Sequence, residues 1–410
     1  MPGALPEGEP VPADGSLPEG ARGGLGQRPF GIYVHVPFCV TRCGYCDFNT
    51  YTAAELGGRD GSAVSPEDYA SLAIAEIAFA RAALGPADIP VSTVFFGGGT
   101  PTLLAPAALG AILRAIDAEF GLAPGAEVTS EANPESVDAA RLGELRAQGV
   151  TRMSFGMQSA VPGVLAVLDR VHSPGRPAHC VAWARAAGFE HVSLDLIYGT
   201  PGESAADWRH SLEAAIGAGP DHVSAYALTV EAGTRLAARV RRGELAAPDD
   251  DVLAERYLAA DSALAAAGLT WYEISNWAAG APARCAHNVL YWTGGDWWGI
   301  GPGAHSHVGG TRWWNVRHPA AYGAKIGAGV SPGQAREVLS GAERRLERVM
   351  LLIRLAEGCP VAELGPAGRA GAAAVVADGL ADRAAYERGR IVLTRRGRLL
   401  ADTAARALTE

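Results

Sequence analysis

The sequence predicts an α/β protein: a partial (βα)6 barrel, TIM-like but open, followed by a C-terminal α+β domain of winged-helix-like type. Between about residues 30 and 230, short apolar runs alternate with Ala- and Leu-rich amphipathic stretches. This rhythm is typical of a parallel sheet with crossover helices. Six such units are too few to close an eight-stranded barrel. Hydrophobic residues make up 48% of the 410 residues and charged residues 19%, which is enough apolar material for a large core.

The six apolar runs of the barrel, residues 28–235, are the predicted strands. They are Gly31–Val36, Thr93–Phe96, Ala126–Ser130, Arg152–Met157, His191–Ile197 and His222–Leu228. Amphipathic segments such as Pro66–Leu84 and Pro106–Phe120 lie between them and are expected to be the crossover helices.

The composition changes on both sides of this region. Residues 1–27 are rich in Gly, Pro and Glu, and we expect a disordered extension there and no signal peptide. Residues 236–335 form an aromatic-rich segment, because residues 271–318 hold seven of the nine tryptophans and four of the ten histidines. Residues 336–410 are Ala-, Arg- and Leu-rich and form the predicted winged-helix-like domain. Its Arg395, Arg396 and Arg398 are expected at a solvated surface rather than at an anion site.

Charge and hydropathy exclude several classes of function. The formal net charge of −9 argues against nucleic-acid binding and allows at most peripheral membrane contact. No run of about 18 apolar residues predicts a membrane span. Clustered thiols without an export signal indicate the reducing cytoplasm.

The chemistry begins with Cys39, Cys43 and Cys46, which follow the first predicted strand with the spacing C-x3-C-x2-C. Three thiolates can hold three corners of a [4Fe–4S] cluster and leave one iron open, by the logic that separates catalytic from structural metal sites. S-adenosylmethionine (SAM) uses such an iron: its amino and carboxylate groups chelate it, and one electron from the cluster splits the C–S bond. A disulfide framework would need a secreted protein, and a zinc site would need a fourth ligand. The isolated Cys180, Cys285 and Cys359 are expected to be small buried hydrophobes.

Polar and glycine residues follow the later strands, at the edge where parallel sheets bind ligands. The run Gly97-Gly-Gly-Thr100 could bring backbone N–H groups close to a polar ligand, although a glycine run is often only a turn. Glu131, Gln158 and Asp195 end three further strands, and Arg170 could pair with a carboxylate. Each alone reads as a cap or a surface turn, but together they favour a shared pocket.

These motifs resemble the oxygen-independent coproporphyrinogen dehydrogenase family of radical-SAM proteins. The matching runs are Tyr33–Phe48, Gly97–Thr102, Ser154–Ser159, Asp195–Gly202 and His222–Thr229, and the resemblance covers roughly residues 30–400. It implies the partial barrel, the cluster and SAM. Carried over position by position, it implies SAM contacts at Tyr33, Tyr45, Gly98, Gly99, Thr100, Glu131, Gln158, Arg170, Asp195, Ala227 and His305.

The chain departs from the dehydrogenase pattern at two places. Phe48 stands where the dehydrogenase carries an extra cysteine, and the first 27 residues do not resemble its substrate-holding N-terminal segment. Both departures match a sister group, the HemW-type haem chaperones, whose His-Asn-x-x-Tyr-Trp motif stands here as His287-Asn-Val-Leu-Tyr-Trp292. The resemblance therefore implies haem as a further ligand.

The residues of this motif suit haem. His287 could supply an axial nitrogen, Tyr291 and Trp292 could supply flat apolar surfaces, and Asn288 could orient the imidazole. A histidine beside aromatic residues is also a common core feature. His305 and His307 are alternative ligands, and their loop could equally line the SAM pocket.

Two functions follow from the resemblance. One is a haem chaperone that binds the cluster, SAM and haem, and delivers haem to an apo-protein of the respiratory chain. The other is an enzyme of porphyrin biosynthesis that oxidatively decarboxylates coproporphyrinogen III. Phe48 and the His287 motif favour the first. SAM cleavage in turnover and a homodimer stay open.

Overall fold

The computed structural model describes residues 7–56, 64–173 and 175–409. Its central feature is a run of parallel strands that confirms the predicted partial barrel. The strands are β1 (Phe30–Val36), β2 (Val91–Gly98), β3 (Leu122–Ala132), β4 (Arg152–Gln158), β5 (His191–Tyr198) and β6 (His222–Ala227). They pair in this order, each parallel to the next. The register sets Val36 of β1 opposite Gly98 of β2, so the loops that follow these two strands are neighbours.

Helices cross over between these strands. They are α3 (Pro66–Leu84), α4 (Pro106–Phe120), α5 (Ala139–Ala147), α6 (Pro162–Val167), α7 (Arg176–Ala186) and α8 (Ala205–Gly217). Local chemistry fixes where they begin. Ser65 caps α3 by accepting from Asp68 N, and Ser204 forms a capping box with Asp207 at the start of α8.

The sheet continues beyond both ends of the barrel. β9 (Asp296–Ile300) pairs parallel with β1, and β10 (His305–Val308), β11 (Thr311–Asn315) and β12 (Gly333–Val338) follow antiparallel. At the far end, β8 (Asn276–Ala278) pairs antiparallel with β6 and with β7 (Thr270–Glu273). The aromatic-rich segment is thus part of the barrel sheet, because Trp298, Ile300 and Trp313 are buried in the same hydrophobic core.

The C-terminal region has its own hydrophobic core, built from helices and a short strand pair as the α+β prediction expects. Its elements are α13 (Gly341–Leu352), β13 (Cys359–Pro360), α14 (Pro366–Ala377), α15 (Arg383–Glu387), β14 (Arg390–Ile391), α16 (Arg395–Leu399) and α17 (Ala401–Thr409). The remaining helices are α1 (Glu19–Arg22), α2 (Ala53–Leu56), α9 (Arg235–Arg241), α10 (Asp250–Ala266), α11 (Ala286–Trp292) and α12 (Pro319–Gly327).

The expectation of a solvated surface agrees with the exposure of Arg395 and Arg396 but was wrong for Arg398, whose side chain is 9% exposed. Arg398 and Arg395 both engage Asp261 of α10. Arg398 pairs with Asp261 at 2.9 Å and Arg395 at 2.8 Å, and the Arg398 guanidinium lies 4.4 Å from the centre of the Trp271 ring. The buried Asp261 carboxylate, with two guanidinium partners, joins this region to the barrel.

The N-terminal extension is also a correction. Disorder was expected over residues 1–27, but residues 7–27 pack against the sheet, while residues 1–6 lie outside the described residues. Glu9 exchanges backbone hydrogen bonds of 2.8 Å with Arg336 of β12, and Ala21 is buried. Val11, Leu17 and Leu25 pack on the main core, and these few apolar side chains offset the ordering entropy that the composition suggested was too costly. Within the described residues, no helix combines the length and apolarity needed to cross a membrane.

Candidate functional site

The three cysteines of the C-x3-C-x2-C motif lie in the loop after β1. All three are free thiols and half-buried. Backbone hydrogen bonds join the start of this loop to its end, since Cys39 N donates to Tyr51 O (2.9 Å) and Tyr51 N donates to Pro37 O (2.7 Å). Gly44 N donates to Leu168 O, which ties the loop to the segment after β4. The motif therefore stands at the carboxyl edge of the barrel, where the sequence placed it.

The donors around the cysteines fit an iron–sulfur cluster. Arg170 donates from Nη1 to Cys43 Sγ (3.6 Å) and from Nη2 to Gly156 O (2.6 Å). Burial raises the pKa of Cys39 and raises that of Cys46 to about 11, and a bound cation would favour the thiolate form of both. Among the described residues, no three His, Cys, Asp or Glu side chains are grouped to hold a single metal ion. A [4Fe–4S] cube instead bonds each cysteine to a different corner, and so takes a wider spacing.

The glycine run after β2 is wedged against this loop. Gly98 has φ +104°, and a Cβ there would lie 2.7 Å from the His35 ring. A Cβ on Gly99 would lie 2.4 Å from the carbonyl oxygen of Phe38. Thr100 N donates to that same oxygen at 2.8 Å. The loop that carries Cys39, Cys43 and Cys46, called the cluster loop below, therefore leaves no room for a side chain at these glycines. A ligand that approached their backbone would need the same space.

Two half-buried carboxylates lie on neighbouring strands of the barrel, Glu131 on β3 and Asp195 on β5. Glu131 accepts from Gly98 N (3.2 Å), and Asp195 accepts from the Ser154 hydroxyl (3.0 Å). Burial and the nearby Asp195 raise the pKa of Glu131 to about 8, and burial also raises the pKa of Asp195. A cationic ligand that also carries hydroxyl donors would relieve this repulsion.

The other predicted SAM residues are spread around the same edge. Gln158 ends β4 with φ +64°, a conformation that non-glycine residues rarely adopt and that often marks a functional site. Burial raises the pKa of Tyr45, which lies near Cys43 and Arg170. Ala227 is exposed at the end of β6.

A cavity of about 400 Å³ opens between the cluster loop and β9–β10. It is lined by Tyr33, His35, Asp47, Phe48, Asn49, Gly98, Glu131, Tyr291, Trp297, Gly303, His305 and Arg317. It brings together four of the predicted SAM residues (Tyr33, Gly98, Glu131 and His305) and one of the haem motif (Tyr291). The other predicted residues lie outside its lining.

Sequence reasoning did not assign His35, Asn49 or Arg317 to the site. The Tyr33 hydroxyl donates to His35 Nδ1 (3.0 Å), and His35 Nε2 donates to Asn49 O (2.9 Å). Burial lowers the pKa of His35 to about 4, so its ring is neutral. Asn49 Nδ2 donates to Pro302 O and Arg317 O, which joins the cluster loop to the β9–β10 wall. Nearness to the cysteines was the signal for His35 and Asn49, whereas nothing in the sequence marked Arg317.

The haem motif forms α11, and its residues divide between two faces of that helix. His287 and Tyr291, four residues apart, share one face, and His287 Nε2 lies 2.8 Å from the Tyr291 hydroxyl. His287 Nδ1 lies 2.8 Å from Thr93 Oγ1, so both ring nitrogens are engaged in a buried position. Burial lowers the pKa of His287 to about 3.

The other two motif residues point elsewhere. Asn288 donates to Glu273 Oε1 (2.8 Å) rather than to His287. Trp292 packs against the C-terminal core and not on the cavity. Two tryptophans follow the motif in β9. Trp297 lies 4.5 Å from Tyr291 between ring centres, and Trp298 is buried against Trp313.

The profile of the Radical SAM superfamily matches residues 33–215. A protein of Mycobacterium tuberculosis (strain ATCC 25618 / H37Rv) named "Heme chaperone HemW" is 56% identical over 382 residues, which span 93% of this chain and 95% of that protein. The chain belongs to the HemW family. The Synechocystis protein of the same name is 36% identical over 82% of this chain and 80% of its own.

Among solved structures, coproporphyrinogen III oxidase (HemN) from Escherichia coli shares the fold. It superposes with a TM-score of 0.78 over 95% of this chain and 92% of its own, at 21% identity. In this HemW-family chain, the position two residues after the third cysteine is Phe48. Its side chain is 57% exposed and lines the cavity.

Proposed function

We propose that the chain is a haem chaperone that holds a [4Fe–4S] cluster and SAM, carries haem, and delivers it to an apo-protein of the respiratory chain. The observation that carries the proposal is the 56% identity, over nearly the whole length of both chains, with a protein named for that role. The aromatic lining of the cavity supports it, since Phe48, Tyr291 and Trp297 offer apolar surfaces of the kind that a macrocycle contacts.

The cluster and SAM would occupy the carboxyl edge of the barrel. When bound there, they supply one-electron chemistry. Cys39, Cys43 and Cys46 are the ligands, and Arg170 offsets thiolate charge beside Cys43. Glu131, the carboxylate closest to the glycine run, would accept from donors of SAM.

Asp195 would contribute the second carboxylate, since a positive charge on the ligand favours both ionised forms. Tyr33, Gly98, Gly99 and Thr100 would shape the inner end of the pocket, and Tyr45, Gln158 and Ala227 its rim. These residues bind and orient, and no proton transfer is assigned to them.

The haem motif is proposed to build the outer wall of the cavity. His287 fixes the Tyr291 hydroxyl, and Tyr291 packs on Trp297, so that both rings line the cavity. Asn288 holds Glu273, and Trp292 joins α11 to the C-terminal core. An axial role for His287 would need its bonds to Thr93 and Tyr291 to break first.

Partners and location follow from the same proposal. Haem is the cargo, and the acceptor is a haem-free respiratory protein reached from the cytoplasm by at most peripheral contact with the membrane. The net charge of −9 gives no support to a nucleic-acid partner. A homodimer, with haem passing from one copy to an acceptor, remains compatible with this scheme.

The proposal is tested with anaerobically reconstituted protein. Hemin titration should give about one site per chain, because one cavity defines one site. Haem should then move to haem-depleted membranes that contain an apo-form of a respiratory haem enzyme, and restore its activity. Apo-myoglobin serves as a non-cognate acceptor.

The same preparation, given coproporphyrinogen III, SAM and a reductant, should form no protoporphyrinogen IX above the rate without protein. Formation of that product together with failure to transfer haem would favour the enzyme of porphyrin biosynthesis instead.

A further inference from the structure

His305 stands apart from the other histidines near the cavity. His35 and His287 have both ring nitrogens hydrogen-bonded, and His307 Nδ1 donates to Gly295 O (3.0 Å). Across residues 7–56, 64–173 and 175–409, neither ring nitrogen of His305 has a hydrogen bond, and the residue is exposed on the cavity wall. His307 is buried and lies outside the cavity lining. Of the two histidines that line the cavity, His35 and His305, it is therefore His305 whose ring nitrogens can take a new partner without breaking an existing bond.

The backbone and the ring of His305 are nevertheless fixed. Its carbonyl oxygen accepts from Trp297 Nε1 (3.0 Å), and its backbone pairs with Trp314 across β10 and β11. The ring stacks on the Trp314 indole, with 5.9 Å between centres and 28° between planes. An imidazole that binds a metal must be kept in a fixed orientation, and the contact with the Trp314 ring restricts the orientation of the His305 ring.

A guanidinium lies on the same wall. Arg317 lines the cavity, and its carbonyl oxygen is anchored by Asn49 Nδ2 (2.8 Å) and the Tyr51 hydroxyl (3.3 Å). The ring of His305 is partly desolvated where it lies against Trp314, and this desolvation, then the charges of Arg317 and Arg312, lower its pKa. The imidazole is therefore neutral and able to ligate at pH 7. A guanidinium is suited to bind a carboxylate through two hydrogen bonds.

We propose that His305 is an axial ligand of the haem iron and that Arg317 binds a haem propionate. The proposal rests on the proposed haem function and names the residues that carry it. One face of the macrocycle then meets the His305 imidazole, while its carboxylate edge meets Arg317. Tyr291 and Trp297 contact the apolar part of the ring. A cargo held by one imidazole and one carboxylate contact can leave when an acceptor offers stronger ligands, as a chaperone requires.

The ligation arm compares the parent with His305→Ala and His287→Ala. Each protein is cluster-reconstituted, titrated with hemin, and examined by absorption, ferric EPR and resonance Raman spectroscopy. His305→Ala should lose the iron–histidine signature and shift the Soret band. Added imidazole should restore both, because it can replace the missing ligand. His287→Ala should keep the histidine signature. Iron content and far-ultraviolet circular dichroism check that both variants are folded.

The propionate arm compares hemin with hemin dimethyl ester, which lacks the two carboxylates. Arg317→Ala should weaken hemin binding by about tenfold to a hundredfold, since a bond to a charged group is lost. Its affinity for the dimethyl ester should match that of the parent. Arg317→Lys should recover only part of the hemin affinity, because an ammonium cannot form the bidentate pair.

The outcomes separate the two proposals. If the parent binds no hemin, the chaperone function itself fails. If the parent binds hemin and the spectra of His305→Ala equal those of the parent, ligation by His305 is wrong. Loss of the histidine signature in His287→Ala alone would assign the ligand to His287. Equal weakening of hemin and its dimethyl ester in Arg317→Ala would refute the propionate contact.

Discussion

A buried carboxylate supports the wall of the cavity from behind. Glu76 lies on α3 with no exposed surface. Its Oε2 accepts from Gly301 N (2.7 Å) and the Tyr322 hydroxyl (2.6 Å), and its Oε1 accepts from Asn315 Nδ2 (2.7 Å). Burial outweighs these three bonds and raises the pKa of Glu76 from 4.5 to about 7. The group thus holds the turn between β9 and β10 that leads to His305.

The size of the contribution that Glu76 makes to the unfolding free energy follows from proton linkage. The folded protein binds the Glu76 proton more tightly than the unfolded chain, since the folded pKa is the higher one. Its favourable contribution is complete below pH 4.5 and is lost as the pH rises to about 7. The interval between these two pKa values corresponds to about 3 kcal/mol of unfolding free energy.

The perturbation is Glu76→Gln, which removes this titration. The amide directs an N–H group at one of the three donors, so the variant should be less stable than the parent at pH 5, by about 1–3 kcal/mol. Between pH 5 and pH 8 the buried Glu76 carboxyl of the parent ionises, which lowers the unfolding free energy of the parent. The variant has no ionisable group at this position. The unfolding free energy of the variant, relative to that of the parent, should therefore rise by about 2–3 kcal/mol.

The assay is urea unfolding followed by tryptophan fluorescence at pH 5, 6, 7 and 8, under anaerobic conditions. Glu213→Gln is the matched control, because Glu213 is exposed on α8 and the chemical change is the same. The control should follow the parent at every pH. If the Glu76→Gln and parent curves run parallel from pH 5 to pH 8, within about 0.5 kcal/mol, the pKa assigned to Glu76 is wrong and the linkage argument fails.

The remaining predictions concern the cluster. Simultaneous replacement of Cys39, Cys43 and Cys46 by Ala should reduce the iron content from about four per chain to none and abolish absorption near 400 nm; retention of the cluster would remove these cysteines as ligands. Gly99→Ala should displace the cluster loop, because its Cβ would lie 2.4 Å from a backbone oxygen, and should lower both the iron content and the unfolding free energy, the latter by about 1–3 kcal/mol. Gly143→Ala, with nothing within 4 Å of its Cβ on α5, is the control and should leave the cluster intact; equal iron content in both variants would contradict the packing argument.

The barrel could be read from the sequence because its signal is local. Apolar runs bounded by helical segments predicted the six parallel strands, and each predicted run overlaps an observed strand, although the last run extends one residue beyond β6. The extension of the sheet by β7–β12 was not foreseen. Those strands pair antiparallel or join β1 from more than two hundred residues away, and such pairings leave no local period in the sequence.

For the site, too, local sequence features could be predicted and contacts between distant parts of the chain could not. Cysteine spacing, the glycine run and the carboxylates at strand ends are features of the chain alone, and they determined the cluster motif and the expected position of SAM. The tertiary structure decided which histidine is available. His287 carries the motif but is bonded to Thr93 of β2, whereas His305 has open nitrogens beside Arg317. A ring nitrogen's partners are set by strands that meet only after folding, so no spacing in the sequence could reveal which imidazole is free to bind.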